Sequence, residues 1–271
     1  MIPEELKKYD FRNNLIIDSD NPILIQKACR DRFSSKSHWN AGYGGEAYLS
    51  RENSEDALTW NVFRSLQAAG EYGLKVISDS FNITKVEKIL FWGCDVENNG
   101  DEQQLLNILI RTIDGKHIGT MTEPDLVLIT ETEVIFVECK LNQNGNVSPW
   151  RAQGDGAKKR MKTYIEEGFT ELNDINDWEL VYQLIRQYVY AKSLSEKLNK
   201  KPAVISFINN KHKEVLSKYY LKIKESAIND TGIFKDFVTW QDIRKKISES
   251  NLPDKNIIVK KIHDALLMSN K

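Results

Sequence analysis

Two short apolar runs separated by a polar turn constrain the fold of this chain more than any other feature. The runs are DLVLI, residues 125–129, and VIFVECK, residues 134–140, and TETE lies between them. This pattern predicts two antiparallel strands joined by a short connection. Both runs are apolar enough to be central strands, yet each carries charge at one end. Buried strands rarely accept charged side chains, so these residues need a chemical reason.

Asp125, Glu138 and Lys140 are the charged residues at the shared end of the predicted strand pair. Because side chains alternate between faces, Glu138 and Lys140 share one face with Phe136, and Cys139 points to the other. Antiparallel pairing brings Asp125 back towards Glu138. Two carboxylates on rigid strands suit a hard cation such as Mg²⁺, which needs only one or two of them with waters and a phosphate. An ammonium group beside them can orient or deprotonate a water, or neutralise charge on a phosphate.

A simpler interpretation of the same residues is an ion pair at a sheet edge, where charged side chains protect against aggregation. Short motifs also recur by accident. Two features weigh against this interpretation. Pro124 immediately precedes Asp125, and both strands are apolar enough to lie inside the sheet rather than at its edge.

Glu55 is a third candidate acid, at the start of a predicted helix that Ser54 caps. The apolar stripe of this helix comprises Leu58, Val62 and Leu66. Glu55 lies in line with that stripe, and a carboxylate there needs a partner. Alternatively, Glu55 is a first-turn acid that interacts favourably with the helix dipole. Glu52 is a nearby acid that could take its place.

Helices alternate with strands on both sides of the predicted hairpin. Strands are expected within residues 86–96, 202–210 and 234–240, and helices within 54–70, 101–115, 177–198 and 213–226 and from residue 241. A hairpin at the centre predicts an α/β fold with a mixed central β-sheet of about five strands and helices on both faces. We expect an N-terminal helical and loop extension over residues 1–50 and one domain over 51–271.

Composition limits the remaining classes of function. The 271-residue chain has a formal net charge of −1, so any nucleic-acid site must be a local patch. Three cysteines at no metal-ligand spacing indicate reduced, intracellular thiols. No apolar run approaches the roughly 18 residues of a membrane span, and no signal peptide is recognisable. These features predict a cytoplasmic protein with no membrane contact.

The stretch TEPDLVLITETEVIFVECK, residues 122–140, resembles the PD-(D/E)xK nuclease superfamily, which has the restriction-endonuclease-like fold. Pro124-Asp125 and Glu138-Cys139-Lys140 match its motif, with twelve residues between the two acids. TEPD and SEDALTWNVF are similar to a branch of predicted bacterial and archaeal nucleases, in which TEPD opens the second core strand and E(A/C)K closes the third. YQLIRQYVYA is similar to the glutamine-bearing helix of that branch, and PAVISFINN and VTWQDI are similar more weakly. The resemblance covers about residues 51–245.

This resemblance implies a role for each matching residue. Asp125 and Glu138 would be metal ligands, with the backbone carbonyl of Cys139 as a further ligand. Lys140 would position the attacking water, and Glu55 would join the metal site directly or through water. The implied cofactor is Mg²⁺, with Mn²⁺ as a substitute.

The glutamine-bearing helix supplies two more candidates. By resemblance, Gln183 would lie near the site and bind substrate, and Arg186, one turn further on, would contact phosphate. Helical spacing independently places Gln183, Arg186, Gln187 and Tyr190 on one face. The alternative for this face is a set of buried polar groups that hydrogen-bond one another.

The function implied is a metal-dependent nuclease that hydrolyses phosphodiester bonds in DNA. A role in restriction or phage defence follows only from analogy. The alternative is a catalytically silent module on the same fold that binds nucleic acid or a partner, although it would not need the charge cluster. An RNA-directed enzyme of the same chemistry is a third hypothesis. DNA is the expected partner, and a protein partner subunit or homodimer stays open.

Three basic stretches could contact nucleic acid. KKRMK at 158–162 follows aromatic Trp150, and NKHK and RKK occupy 210–213 and 244–246. Basic residues interleaved with aromatic ones can track a phosphate backbone. A charge run is more often a solvated helix face, and that interpretation is favoured for all three.

Overall fold

The computed structural model describes much of the chain, with gaps. The described residues are 14–25, 27, 49, 54–97, 100–114, 123–141, 148, 150–151, 155–166, 178–226 and 232–269. The chain divides into two compact units, one formed by Met1–Ile77 and Arg244–Lys271 and the other by Ser78–Ile243. The predicted division into residues 1–50 and 51–271 stays a prediction.

The second unit is built on a mixed β-sheet. Its strands are β1 Val86–Phe91, β2 Cys94–Asp95, β3 Leu126–Thr130, β4 Glu133–Lys140, β5 Lys201–Ile208 and β6 Val238–Thr239. The strand order is β2-β1-β3-β4-β5-β6. The β4–β5 and β5–β6 pairs are parallel, and the other pairs are antiparallel. The predicted α/β fold with a mixed sheet is confirmed.

The helices whose bounds the structure describes are numbered in chain order. They are α1 Glu55–Ala68, α2 Gly70–Phe81, α3 Asp101–Ile113, α4 Asp155–Glu166, α5 Tyr182–Leu198, α6 Lys213–Ser226, α7 Trp240–Glu249 and α8 Lys255–Met268. Short 3₁₀ segments occupy Trp178–Val181 and Asn210–His212. Neither α2 nor α8 was expected from the sequence, so the helix that begins near residue 241 is not the last.

The predicted hairpin is the β3–β4 pair. Leu126 pairs with Val137 and Ile129 with Val134, which is antiparallel register. The Thr130 hydroxyl accepts a hydrogen bond from the Glu133 N–H at 2.9 Å and so closes the turn. Extended by one residue, this register would set Asp125, immediately before β3, opposite Glu138.

The segment expected to be one strand over residues 86–96 is a second hairpin. Trp92 and Gly93 both have positive φ, of 50° and 80°, and form a two-residue turn between β1 and β2. Such turns match the right-handed twist of the flanking strands. The Trp92 N–H donates to the Asp125 carbonyl at 3.2 Å. The turn therefore fixes the backbone at one of the candidate site residues.

Helical residues cover both faces of the sheet. On one face, the Phe136 ring lies 6.3 Å from the Tyr190 ring of α5. On the other, Phe207 of β5 contacts Trp240 at 4.2 Å and Phe81 at 5.5 Å between ring centroids. All five are buried. Full burial of such side chains contributes about 1.5–3 kcal/mol each, which holds the sheet rigidly between its two layers.

In the first unit, hydrogen bonds connect residues 14–17 to α1. The buried Asn61 side chain accepts from the Ile16 N–H at 2.9 Å and donates to the Asn14 carbonyl at 2.8 Å. Trp60 of the same helix donates from its indole nitrogen to the Ile17 carbonyl at 2.9 Å. These side-chain bonds satisfy polar backbone groups between residues 14 and 17.

Gly73→Ala is expected to destabilise the first unit strongly. Gly73 of α2 lies so close to α1 that a Cβ atom there would stand 1.9 Å from the Leu66 carbonyl oxygen. Because that oxygen is backbone, the two helices would have to separate, and such overpacking costs about 1–3 kcal/mol and occasionally more. Urea denaturation measures the loss.

Gly156→Ala is the matched control for this change. A Cβ at Gly156, in α4, would meet no heavy atom closer than 4.0 Å. Alanine restricts the unfolded chain more than glycine, so this variant is expected to gain about 0.4–1 kcal/mol. Equal loss of stability in both variants would contradict the close approach of α1 and α2.

Candidate active site

Three of the charged residues singled out in the sequence meet at one end of the β3–β4 hairpin. One Asp125 carboxylate oxygen, Oδ2, accepts from the Cys139 N–H at 2.8 Å. The Lys140 Nζ lies 2.8 Å from Glu138 Oε1. Asp125, Glu138 and Lys140 are therefore brought together, whereas the Cys139 side chain is buried on the other face. The role of the Cys139 carbonyl as a ligand stays a prediction.

Glu138 is a buried carboxylate that is held in its ionised form. Its side chain is 3% exposed. Burial alone would raise its pKa, but the charges of Lys140 and Arg186 and hydrogen bonds from Lys140 and Gln187 outweigh burial and lower the pKa. The Gln187 amide donates to Glu138 Oε2 at 2.6 Å. An ionised, oriented carboxylate is the form that binds a metal ion.

Helix α5 presents Gln187 and Arg186 to this carboxylate. Arg186 is 4% exposed, and the Glu138 charge raises its pKa in spite of burial, which acts in the opposite direction. Its predicted contact with phosphate stays a prediction, as does substrate binding by Gln183. Gln183 is half-buried, and its backbone N–H donates to the Trp150 carbonyl at 3.0 Å.

Gln187 was placed on the polar face of the helix but was not singled out as a site residue. The structure puts Gln187, four residues after Gln183, against Glu138. Residues four apart share one face of a helix, so this spacing was the available signal. The alternative interpretation, in which the polar groups of this face bond one another, does not describe this contact, because Glu138 lies on β4.

Glu55 is the first residue of α1 and belongs to the first unit. The Ser54 hydroxyl accepts from the Ala57 N–H at 3.2 Å, so Ser54 is the predicted helix cap. Glu55 is half-buried in the first helical turn, where a carboxylate interacts favourably with the helix dipole. Its metal-binding role stays a prediction. Glu52 lies outside the described residues.

Asp125 and Glu138 are the residues of this site that could hold a hard divalent cation. Within the described ranges, no cluster of three or more His, Cys, Asp or Glu side chains has the arrangement of a metal site. Mg²⁺ does not need three, because it is commonly bound through one or two carboxylates together with waters and substrate phosphates. One carboxylate near the end of β4 and one immediately before β3 therefore fit this ion, and Lys140 balances the charge of Glu138 in this structure.

A second buried polar cluster anchors α5. The buried Asp114 carboxylate, just after α3, accepts from the Tyr190 hydroxyl at 2.6 Å and from the Tyr164 hydroxyl at 2.8 Å. Burial raises the pKa of both tyrosines, so both hydroxyls remain neutral donors. Tyr190 lies one turn after Arg186. The cluster thus fixes the rotation of α5 that presents Arg186 and Gln187 to Glu138.

Tyr190→Phe is expected to lower the free energy of unfolding by about 1–3 kcal/mol, because the buried Asp114 carboxylate loses a hydrogen-bond donor. Chemical denaturation measures the change. Tyr72→Phe is the control, since Tyr72 is 78% exposed, and it should leave stability unchanged. A Tyr190→Phe variant as stable as the unsubstituted protein would contradict the anchoring role.

The basic stretch KKRMK lies on α4, an amphipathic helix. Ala157, Met161 and Tyr164 are buried, while the lysines at 158, 159 and 162 are exposed. The Arg160 Nε donates to the Tyr182 hydroxyl at 2.8 Å. This arrangement agrees with the favoured interpretation of a solvated helix face.

Comparison with protein families shows which family the chain belongs to. Residues 8–262 match the model of a family described as restriction endonuclease associating with ARP. The chain belongs to this family. The match covers most of both units, and the mixed sheet with its flanking helices is consistent with a restriction-endonuclease-like domain.

Two other comparisons, and a test for membrane-spanning helices among the described residues, gave no positive result. Searches of curated proteins and of solved structures found no match to the chain. Among the helices of the described residues, none is long and apolar enough to cross a membrane.

Proposed function

We propose that this member of the restriction endonuclease–ARP family is a divalent-metal-dependent nuclease of the PD-(D/E)xK superfamily that hydrolyses phosphodiester bonds in DNA. The observation that carries the proposal is the meeting of Asp125, Glu138 and Lys140 at one end of two buried strands. Membership of a restriction-endonuclease family supports nuclease activity.

Each residue has a role that follows from its surroundings. Asp125 and Glu138 would hold Mg²⁺, for which Mn²⁺ can substitute. Bound Mg²⁺ supplies Lewis-acid polarisation of the scissile phosphate. Gln187 keeps Glu138 oriented through its 2.6 Å hydrogen bond, and the nearby Arg186 charge favours the ionised carboxylate.

Lys140 is the residue that would act on the attacking water. Its ammonium group lies 2.8 Å from Glu138 and is partly exposed, so it can reach both the carboxylate and an incoming substrate. A fixed ammonium donor orients a water and stabilises negative charge that develops on a phosphate. A binding-only module would not need this buried charge cluster, which argues against the silent alternative.

The biological setting is part of the same proposal. The family description names an association with ARP. Because the chain has a net charge of only −1, a protein partner would help to bring it to DNA. Restriction or phage defence is the proposed role, by analogy with the family description.

A cleavage assay tests the proposed activity. Purified protein is incubated with linear, circular and single-stranded DNA and with RNA, in Mg²⁺ or Mn²⁺. Cleavage of DNA is expected, and a chelator should abolish it until the metal is restored. Asp125→Asn, purified in the same way, controls for contaminating nucleases. Cleavage that survives both chelation and this substitution would contradict the proposal.

A further inference from the structure

The basic segment NKHK lies beside the candidate site through strand pairing that the sequence does not reveal. Strands β4 and β5 are parallel, and Lys140 pairs with Ile208 at their carboxyl ends. The next residue, Asn209, donates its backbone N–H to the Lys140 carbonyl at 3.1 Å. The chain therefore leaves the carboxyl end of β5 beside Lys140, which is the last residue of β4. In open α/β sheets, ligands bind outside the carboxyl ends of the strands.

Hydrogen bonds hold this segment in place. The buried Asn209 side-chain oxygen accepts from the Gln241 amide at 2.8 Å and from the Lys211 N–H at 3.3 Å. The Gln241 side-chain oxygen in turn accepts from the Asn210 N–H at 3.0 Å. A braced 3₁₀ turn presents its side chains in fixed positions, which reduces the entropy lost when a ligand binds.

The segment concentrates positive charge. Lys211 and Lys213 are exposed, and His212 lies between them. Partial burial lowers the pKa of Lys211, and burial together with the Lys211 charge lowers the pKa of His212. The Lys211 charge acts on His212, so the two groups lie close together, and an anion placed beside them would be attracted to the positive charge of the segment.

We propose that the segment Asn210–His212, together with Lys213, is a phosphate-contacting surface that holds the backbone of a duplex nucleic acid beside Lys140. Lys211 and Lys213 supply the charge. This inference rests on the proposed nuclease function for its substrate class, and it assigns substrate contact to residues outside α5. The ligand chemistry is the phosphodiester backbone, which DNA and RNA share.

The test measures binding rather than cleavage. Fluorescence anisotropy follows binding of a labelled mixed-sequence duplex, once as DNA and once as RNA, in a chelator that prevents hydrolysis. The double variant Lys211→Gln/Lys213→Gln is compared with the unsubstituted protein over a range of salt concentrations. Loss of two phosphate contacts should reduce the slope of log affinity against log salt by about 1.8.

A matched control removes the same amount of positive charge at the other end of β5. Lys197→Gln/Lys201→Gln removes two exposed lysines near the start of that strand and should leave affinity and slope unchanged. A reduced slope only in the Lys211/Lys213 variant, with either duplex, supports the inference and identifies the nucleic acid. Equal slopes in both variants, or no binding by the unsubstituted protein to either duplex, would overturn it.

The binding test separates this inference from the nuclease proposal. If the protein binds a duplex through Lys211 and Lys213 but cleaves no substrate with Mg²⁺ or Mn²⁺, the nuclease proposal fails and the surface stands. If the protein cleaves DNA and the slopes are equal, the surface fails alone. Circular dichroism spectra and melting temperatures that match the unsubstituted protein ensure that each variant is folded.

Discussion

Lys140→Ala is expected to lower the rate of metal-dependent DNA cleavage on the order of 100- to 1,000-fold, the usual loss when one donor that stabilises transition-state charge is removed. The Lys140 ammonium is fixed at 2.8 Å from Glu138 and is 15% exposed, so it is positioned and still accessible. The loss should appear in kcat rather than in KM, because Lys140 acts on the water and on developing charge. Single-turnover cleavage of linear DNA measures it.

Lys235→Ala is the matched control for Lys140→Ala. Lys235 pairs with Glu133 at 2.7 Å, at the opposite end of the same strand β4. This variant loses a comparable ion pair and should cleave at the unsubstituted rate. Equal rates in the Lys140 variant and the unsubstituted protein would exclude Lys140 from the reaction.

Glu138→Ala is expected to lower the free energy of unfolding by about 3–5 kcal/mol, because breaking a buried charge pair leaves its partner uncompensated. The uncompensated partner is Arg186, which is buried at 4% exposure and interacts electrostatically with Glu138. Lys140 is closer to solvent and can reorient. Urea denaturation in a chelator measures the loss without any contribution from bound metal.

A double-mutant cycle separates this electrostatic effect from the loss of packing. Arg186→Met keeps the volume of the side chain and removes the buried charge. In Glu138→Ala/Arg186→Met the penalty should be smaller than in Glu138→Ala alone, since no buried cation remains. If the two single effects simply add, Glu138 and Arg186 are not coupled, and the Arg186 charge does not contribute to the lowered pKa of Glu138.

The β3–β4 hairpin could be predicted because its determinants are local. Two apolar runs and a four-residue polar turn fix the pairing, and the period of two fixes which side chains share a face. The position of Asp125, Glu138 and Lys140 at one end of the hairpin follows from that pattern, and their catalytic roles stay a prediction. Ser54 was identifiable as a helix cap for the same reason, since it is adjacent to the N–H groups that it satisfies.

Helix α2 and the β1–β2 turn were not predicted, because both depend on backbone conformations that the residue type alone does not indicate. The helix expected within residues 54–70 ends at Ala68, and Gly70, with φ of 61°, is already the first residue of α2. A second helix then begins at once, because the close approach at Gly73 allows α2 to pack on α1. Trp92 takes a positive φ that is unusual for a large side chain, so the β1–β2 turn was not foreseen.

The missed site features depend on contacts between distant parts of the chain. Four polar residues of α5 share one face, but only packing against Asp114 and Glu138 decides which of them meets the carboxylate. Gln187 was therefore indistinguishable from Gln183. NKHK was indistinguishable from any solvated basic run until parallel pairing of β4 with β5 placed it beside Lys140.

Metal binding by Asp125 and Glu138 is the central claim, and Mn²⁺ titration followed by electron paramagnetic resonance tests it directly. The unsubstituted protein should bind Mn²⁺, and Asp125→Asn should weaken binding by at least about 100-fold, since loss of a supporting residue alone costs about 10- to 100-fold. Asp155→Asn, which removes an exposed acid at the start of α4, should bind Mn²⁺ normally. Equal Mn²⁺ affinity in the unsubstituted protein and in Asp125→Asn would contradict the account.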